Sequence, residues 1–111
     1  MSSLLLNDVV SLTQELIRFP SVTPEDKGCL AWISQLITPL GFRCERLDHQ
    51  EVKNLWAVYG SEGPLLVFVG HVDVVPPGPY EAWKFDPFTP TLEEGKLYGR
   101  GAADMKGAIA A

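Results

Sequence analysis

His71 and Asp73 stand two residues apart, directly behind an unbroken apolar run, Leu65-Leu-Val-Phe-Val-Gly70. A second carboxylate, Asp104, lies in Tyr98-Gly-Arg-Gly-Ala-Ala-Asp-Met-Lys-Gly107. A neutral imidazole is the commonest metal ligand in proteins. It coordinates best when a carboxylate fixes its other ring nitrogen. Along a strand, residues i and i+2 share a side. His71 and Asp73 can therefore face one cleft at the carboxyl end of a strand, where open α/β sheets place their ligands. The two oxygens of Asp104 can bridge two cations about 3.5–4 Å apart. Gly99 and Gly101 let the backbone turn sharply and bring Asp104 close to another element. This set points to metal-assisted hydrolysis, with His71 and Asp104 as ligands and Asp73 orienting His71.

Blander uses compete for the same residues. A His-x-Asp pair at a strand end is more often a hydrogen-bonded pair, and a lone aspartate ahead of a helix is more often an N-cap. Spacing alone leaves the metal site as the minority reading. Gly99-Arg-Gly101 lacks the third glycine of a dinucleotide fingerprint and would set Asp104 where a pyrophosphate must lie. Lys106-Gly107 lacks the glycine spacing of a phosphate loop. His49 reads as a solvated loop residue, and Trp56 and Trp83 as packing anchors.

The elements that must position these side chains follow from periodicity. Residues 65–73, bounded by Gly63-Pro64, read as a strand buried on both faces. Residues 7–19 read as a helix, with Val9, Leu12 and Leu16 in one apolar row and Val10, Thr13 and Ile17 in the next. Asn7 or Asp8 can cap it, and Pro20 ends it. Thr23, as N-cap, followed by Pro24, Glu25 and Asp26, opens a second helix. Its buried stripe is Leu30, Ile33, Ile37 and Leu40; Pro39 distorts the last turn and Gly41 closes it. Residues 42–47 and 55–59 form a hairpin. Residues 74–90 carry Pro76, Pro77, Pro79, Pro87 and Pro90 together with Trp83, Phe85 and Phe88. They form a long, stiff loop of the kind that is usually functional. Residues 91–98 form a second hairpin turning at Glu94-Gly95, where Glu93 and Glu94 are solvated. Residues 105–111 open a helix that stops without a cap, which suggests a segment of a longer protein.

At 111 residues the chain is long enough for one small domain. A net charge of −5 without a Lys/Arg cluster argues against nucleic acid or an anionic membrane as partner. No apolar run approaches a membrane span. The first residues lack the basic start of a signal peptide. Cys29 and Cys44 are far apart and read as ordinary core thiols, which fits a cytoplasmic location.

The long motifs carry a resemblance. Gly70-His-Val-Asp-Val-Val-Pro-Pro-Gly78, then Trp83, Pro87-Phe88, Pro90-Thr91 and Leu97-Tyr-Gly-Arg-Gly-Ala-Ala-Asp-Met-Lys-Gly107, resemble the M20 family of zinc-dependent amidohydrolases and exopeptidases. Arg18-Phe-Pro-Ser21 and Asn54-Leu-Trp56 fit as well, so the likeness covers essentially the whole chain. One departure is Val72, where the members nearest this chain usually carry threonine. The resemblance implies an α/β fold: the N-terminal part of a zinc-exopeptidase-type catalytic domain, a mixed sheet with flanking helices. It implies that His71 ligates one zinc, that Asp104 bridges two zincs, and that Asp73 is the active-site carboxylate orienting His71. It also implies a cis peptide between Asp104 and Met105. Two zincs per active site are expected, with cobalt able to substitute. The implied substrate is a small succinylated amino acid, cleaved at its amide. Deacetylases and carboxypeptidases of the family share the same skeleton, and a non-catalytic interaction module is the reading from another class. The general base, the remaining ligands and a lid domain used for homodimerisation are expected beyond residue 111. Residues 1–111 are thus expected to be a truncated N-terminal segment of the catalytic domain, inactive alone.

Overall fold

The computed structural model describes residues 8–111. Helix α1 spans Val9–Ile17. Asp8 caps it, accepting from the Val10 N–H at 3.0 Å and from the Ser11 hydroxyl at 2.6 Å. Asn7, the other cap considered, lies outside the described residues. Leu12, Thr13, Leu16 and Ile17 are buried, while Val9 and Val10 remain exposed, so the first turn projects past the core. The helix closes at Arg18, ahead of Pro20.

Helix α2 spans Cys29–Ile37 and does not begin at Thr23. Long-range pairing takes Thr23 instead. The Thr23–Pro24 bond is cis, the Thr23 N–H donates to the Val74 carbonyl at 3.0 Å, and Val22 and Val74 form a parallel bridge. The helix start falls to Gly28, at φ 91°, and to Asp26. The Asp26 carboxylate accepts from the Leu30 N–H at 3.1 Å. At the other end Pro39 sits in a 3-10 turn, Thr38–Leu40, and Gly41 at φ 105° donates its N–H to Thr38. Leu40 leaves the stripe and is exposed.

Strands β1 (Arg43–Arg46) and β2 (Leu55–Val58) pair antiparallel, with Arg43 opposite Val58 and Arg46 opposite Leu55. Strands β3 (Thr91–Glu93) and β4 (Lys96–Tyr98) form the second hairpin. Its turn residues Glu94 and Gly95 have φ of 51° and 76°, as a two-residue turn of this hand requires. Helix α3 spans Gly107–Ala110 and lies against α1. Among the described residues no helix is long and apolar enough to cross a membrane.

Residues 65–73 are where expectation and structure part. They pair with no strand, and Leu65, Phe68 and Val69 are 85%, 88% and 88% exposed. A fully buried strand needs neighbours on both edges and layers on both faces. The two hairpins pair only within themselves and supply neither. Only the end of the segment is inside: Val72 joins Leu16, Cys29 and Leu30 in the core, flanked by Phe19, Trp32, Ile33, Leu55, Ile109 and Ala110.

The proline-rich loop packs on β4. Trp83 donates to the Pro77 carbonyl at 2.9 Å, and the Arg100 guanidinium lies 4.8 Å from its ring centroid. Phe85 meets Tyr98 edge-on at 5.1 Å, and Pro87 is fully buried. Trp83 is thus a packing anchor. Trp56 is less enclosed, 47% exposed on the hairpin. Cys29 is buried and Cys44 half-buried, both as free thiols.

Candidate metal centre

The structure brings His71, Asp73 and Asp104 together. His71 Nδ1 lies 3.0 Å from the Asp73 carbonyl and 3.1 Å from Asp73 Oδ1. His71 Nε2 lies 3.2 Å from Asp104 Oδ1. Both neighbours of Nδ1 are acceptors, so Nδ1 carries a proton. Nε2 then presents its lone pair to a carboxylate oxygen. Two lone pairs do not face each other unless a proton or a cation lies between them. With a proton there the group is an imidazolium. The Asp73 carbonyl is the largest influence raising the His71 pKa above its ordinary value. Desolvation opposes it, and the carboxylates of Asp73 and Asp104 add to the rise.

The same geometry suits a cation. In tetrahedral zinc coordination, with bonds of about 2.0–2.1 Å, neighbouring ligand atoms lie about 3.3 Å apart. The observed 3.2 Å between Nε2 and Oδ1 matches that edge. Asp104 is 85% exposed and makes no cap hydrogen bond to the helix that follows, so its N-cap reading fails. Its second oxygen has no hydrogen-bond partner among the described residues. Those residues contain no group of three or more His, Cys, Asp or Glu side chains placed to hold one metal ion. Two donors fall short of the three protein ligands of a catalytic zinc site. Glu93 takes no part; it pairs with Lys84 at 2.8 Å. His49 is exposed on the β1–β2 connection.

Asp104 stands in the turn Ala102–Lys106, where the Asp104–Met105 peptide is cis. Gly101, at φ 80°, admits the turn; a Cβ there would overlap Val74. Lys106 ties the turn down. Its ammonium is fully buried and donates to the carbonyls of Leu16 at 2.7 Å and Phe19 at 2.9 Å. These carbonyls stand at the end of α1, where a cation complements the helix dipole. Asp73 is held in turn by Thr23, whose hydroxyl donates to Asp73 Oδ2. The sequence gives no local signal for Lys106 or Thr23, because their partners lie 87–90 and 50–51 residues away. The imidazole borders a cleft lined by Thr23, Leu30, Asn54, Leu55 and Asp73.

Residues 67–111 match the family model described as peptidase family M20/M25/M40. Over 106 residues the chain is 58% identical to succinyl-diaminopimelate desuccinylases from Xylella fastidiosa and Xanthomonas oryzae pv. oryzae, covering 96% of this chain and 28% of each relative. Its structure superposes on that of human carnosine dipeptidase 1 with a TM-score of 0.80 at 28% identity, covering 96% of this chain and 27% of that one. The chain therefore spans a little over a quarter of the relatives it matches.

Proposed function

We propose, from the match of residues 67–111 to the model of peptidase family M20/M25/M40, that this chain is the amino-terminal segment of the catalytic domain of a dizinc amidohydrolase. The favoured reaction is hydrolysis of N-succinyl-LL-2,6-diaminopimelate to succinate and LL-2,6-diaminopimelate. The substrate choice is supported by 58% identity to desuccinylases against 28% to a dipeptidase. The observation that carries the reading is the convergence of His71 Nε2 and Asp104 Oδ1, two lone-pair atoms 3.2 Å apart that need a cation or a proton between them.

Each residue has a defined task in this scheme. Asp73 holds the Nδ1–H of His71, which fixes the tautomer and aims Nε2. His71 would hold zinc through Nε2. Asp104, exposed and uncapped, would help to hold the metal with its carboxylate. Lys106 anchors the turn from which Asp104 projects. The chemistry zinc supplies when bound is polarisation of the scissile carbonyl and acidification of water. The proton taken from that water needs a general base, and neither Glu93 nor Glu94 reaches the site. The 111-residue chain alone is therefore proposed to be inactive. The complete protein would act as a cytoplasmic homodimer on a small-molecule substrate, without nucleic acid or membrane.

The test uses the full-length protein. Zinc content is measured by elemental analysis in wild type, His71→Ala and Asp104→Ala, beside turnover of succinylated and acetylated diaminopimelate. Two zincs per active site in wild type, loss of metal in both variants and preference for the succinyl amide are expected. Undiminished zinc in both variants would remove the reading.

A further inference from the structure

We propose that Thr23 is a positioning residue for the His71 ligand: its hydroxyl locks the Asp73 carboxylate in the orientation that aims the imidazole. The role rests on the metal reading above. The Nδ1 proton of His71 lies between the Asp73 carbonyl, 3.0 Å from Nδ1, and the Asp73 carboxylate. Oδ1 faces His71 Nδ1 at 3.1 Å, and Oδ2 accepts the Thr23 hydroxyl. That hydroxyl also lies 3.3 Å from the Val74 carbonyl. It has one proton to give, and the nearer, charged acceptor takes it.

Thr23 is itself fixed by backbone. Its N–H donates to Val74 at 3.0 Å, and the Val74 N–H donates back to Ser21 at 2.9 Å. The Ser21 hydroxyl, fully buried, donates to the Val72 carbonyl at 2.7 Å. The segments 21–23 and 72–74 are thus clamped side by side. A β-branched side chain adds its own restriction at χ1. Without the hydroxyl, Oδ2 would face only water, because Asp73 is 39% exposed. The terminal torsion of an aspartate is broad. The carboxylate would then turn, and the Nδ1–H would be left to the Asp73 carbonyl alone, which loosens the aim of the imidazole.

Partners that orient a metal ligand directly are worth about 10–100-fold in affinity, so a residue one step further out is placed near 10-fold. In the full-length protein, zinc affinity is measured by competition with a chromophoric chelator for wild type, Thr23→Val, Thr23→Ser, Asp73→Asn and His71→Ala. Thr23→Val, which keeps the shape and removes the hydroxyl, is expected to weaken zinc about 10-fold, and Thr23→Ser to stay within about 2-fold of wild type. Thr23→Ala repeats the comparison if the valine lowers the melting temperature. His71→Ala retaining full zinc would sink the metal reading itself. His71→Ala losing zinc while Thr23→Val binds like wild type would overturn the role of Thr23 alone. Equal losses in Thr23→Val and Thr23→Ser would also overturn it, by assigning the effect to packing of the methyl group.

Discussion

Replacing Lys106 with methionine tests how the Asp104 turn is held. Methionine fills nearly the same space and donates nothing. The native ammonium makes two hydrogen bonds, at 2.7 and 2.9 Å, to the end of α1. Hydrogen bonds to a charged group contribute about 1.5–3 kcal/mol each, and a cation at a helix C-terminus adds up to about 2 kcal/mol. Burial works the other way. It pushes the Lys106 pKa below its ordinary value, and removing the charge returns a desolvation cost of several kcal/mol. What remains is the loss of the two charged hydrogen bonds and the dipole interaction, less that returned cost, because each carbonyl keeps a backbone donor: the Phe19 N–H on Leu16 at 3.2 Å and the Ser21 N–H on Phe19 at 2.8 Å. The expected net loss for Lys106→Met is therefore about 2–3 kcal/mol. The assay is the urea midpoint of the full-length protein, with amide hydrogen exchange to locate the change. Protection is expected to fall at the end of α1 and in the 102–106 turn together. A variant with an unchanged or higher midpoint and unaltered exchange would refute the reasoning, because the buried charge would then contribute no net stability.

Four further outcomes are expected. Gly101→Ala must hold an alanine at φ 80° and overlap Val74; a loss of about 2–4 kcal/mol in thermal or urea stability is expected, and a neutral result would mean that the turn rearranges freely. Cys29 is pushed up to about 11 by burial, so a thiol reagent at pH 8 is expected to label Cys44 well before Cys29 in the folded protein, and equal rates would contradict the burial. Because that folded value lies above the ordinary 9.0, the stability it contributes is fully present below pH 9 and fades as pH rises through about 11; Cys29→Ala is expected to lose that part of the alkaline slope, worth at most about 3 kcal/mol. Asp8→Ala removes the cap of α1 and is expected to cost about 1 kcal/mol, read as a lower melting temperature.

Features governed by neighbours in sequence were legible in advance. The Asp8 cap, the stop at Pro20, the Pro39 distortion and the Glu94-Gly95 turn each depend on a few adjacent residues. The β1–β2 hairpin follows from alternation, and its antiparallel register agrees. Thr23 shows where local reading fails. Its residue type and the following Pro24 favour a helix start, but pairing with Val74, about fifty residues away, outweighs that preference. The failure at residues 65–69 has another cause. Their apolar character is real, but burial depends on what covers them, and the hairpins do not. At the site, the pairing of His71 with Asp73 follows from i, i+2 spacing, whereas the meeting with Asp104 rested on likeness to other chains. Lys106 was invisible because a lysine in a small-residue stretch says nothing about a helix end some ninety positions earlier.

The uncovered Leu65-Leu-Val-Phe-Val69 run has a practical consequence. It contains no charge and no proline, its residues favour extended backbone, and its amide groups lack strand partners. Such a stretch is a template onto which an identical stretch from another molecule can stack. Solutions of the isolated 111-residue chain are therefore expected to scatter light increasingly with concentration and to bind amyloid dyes. A lysine or proline at Val67 would act as a gatekeeper and delay that association.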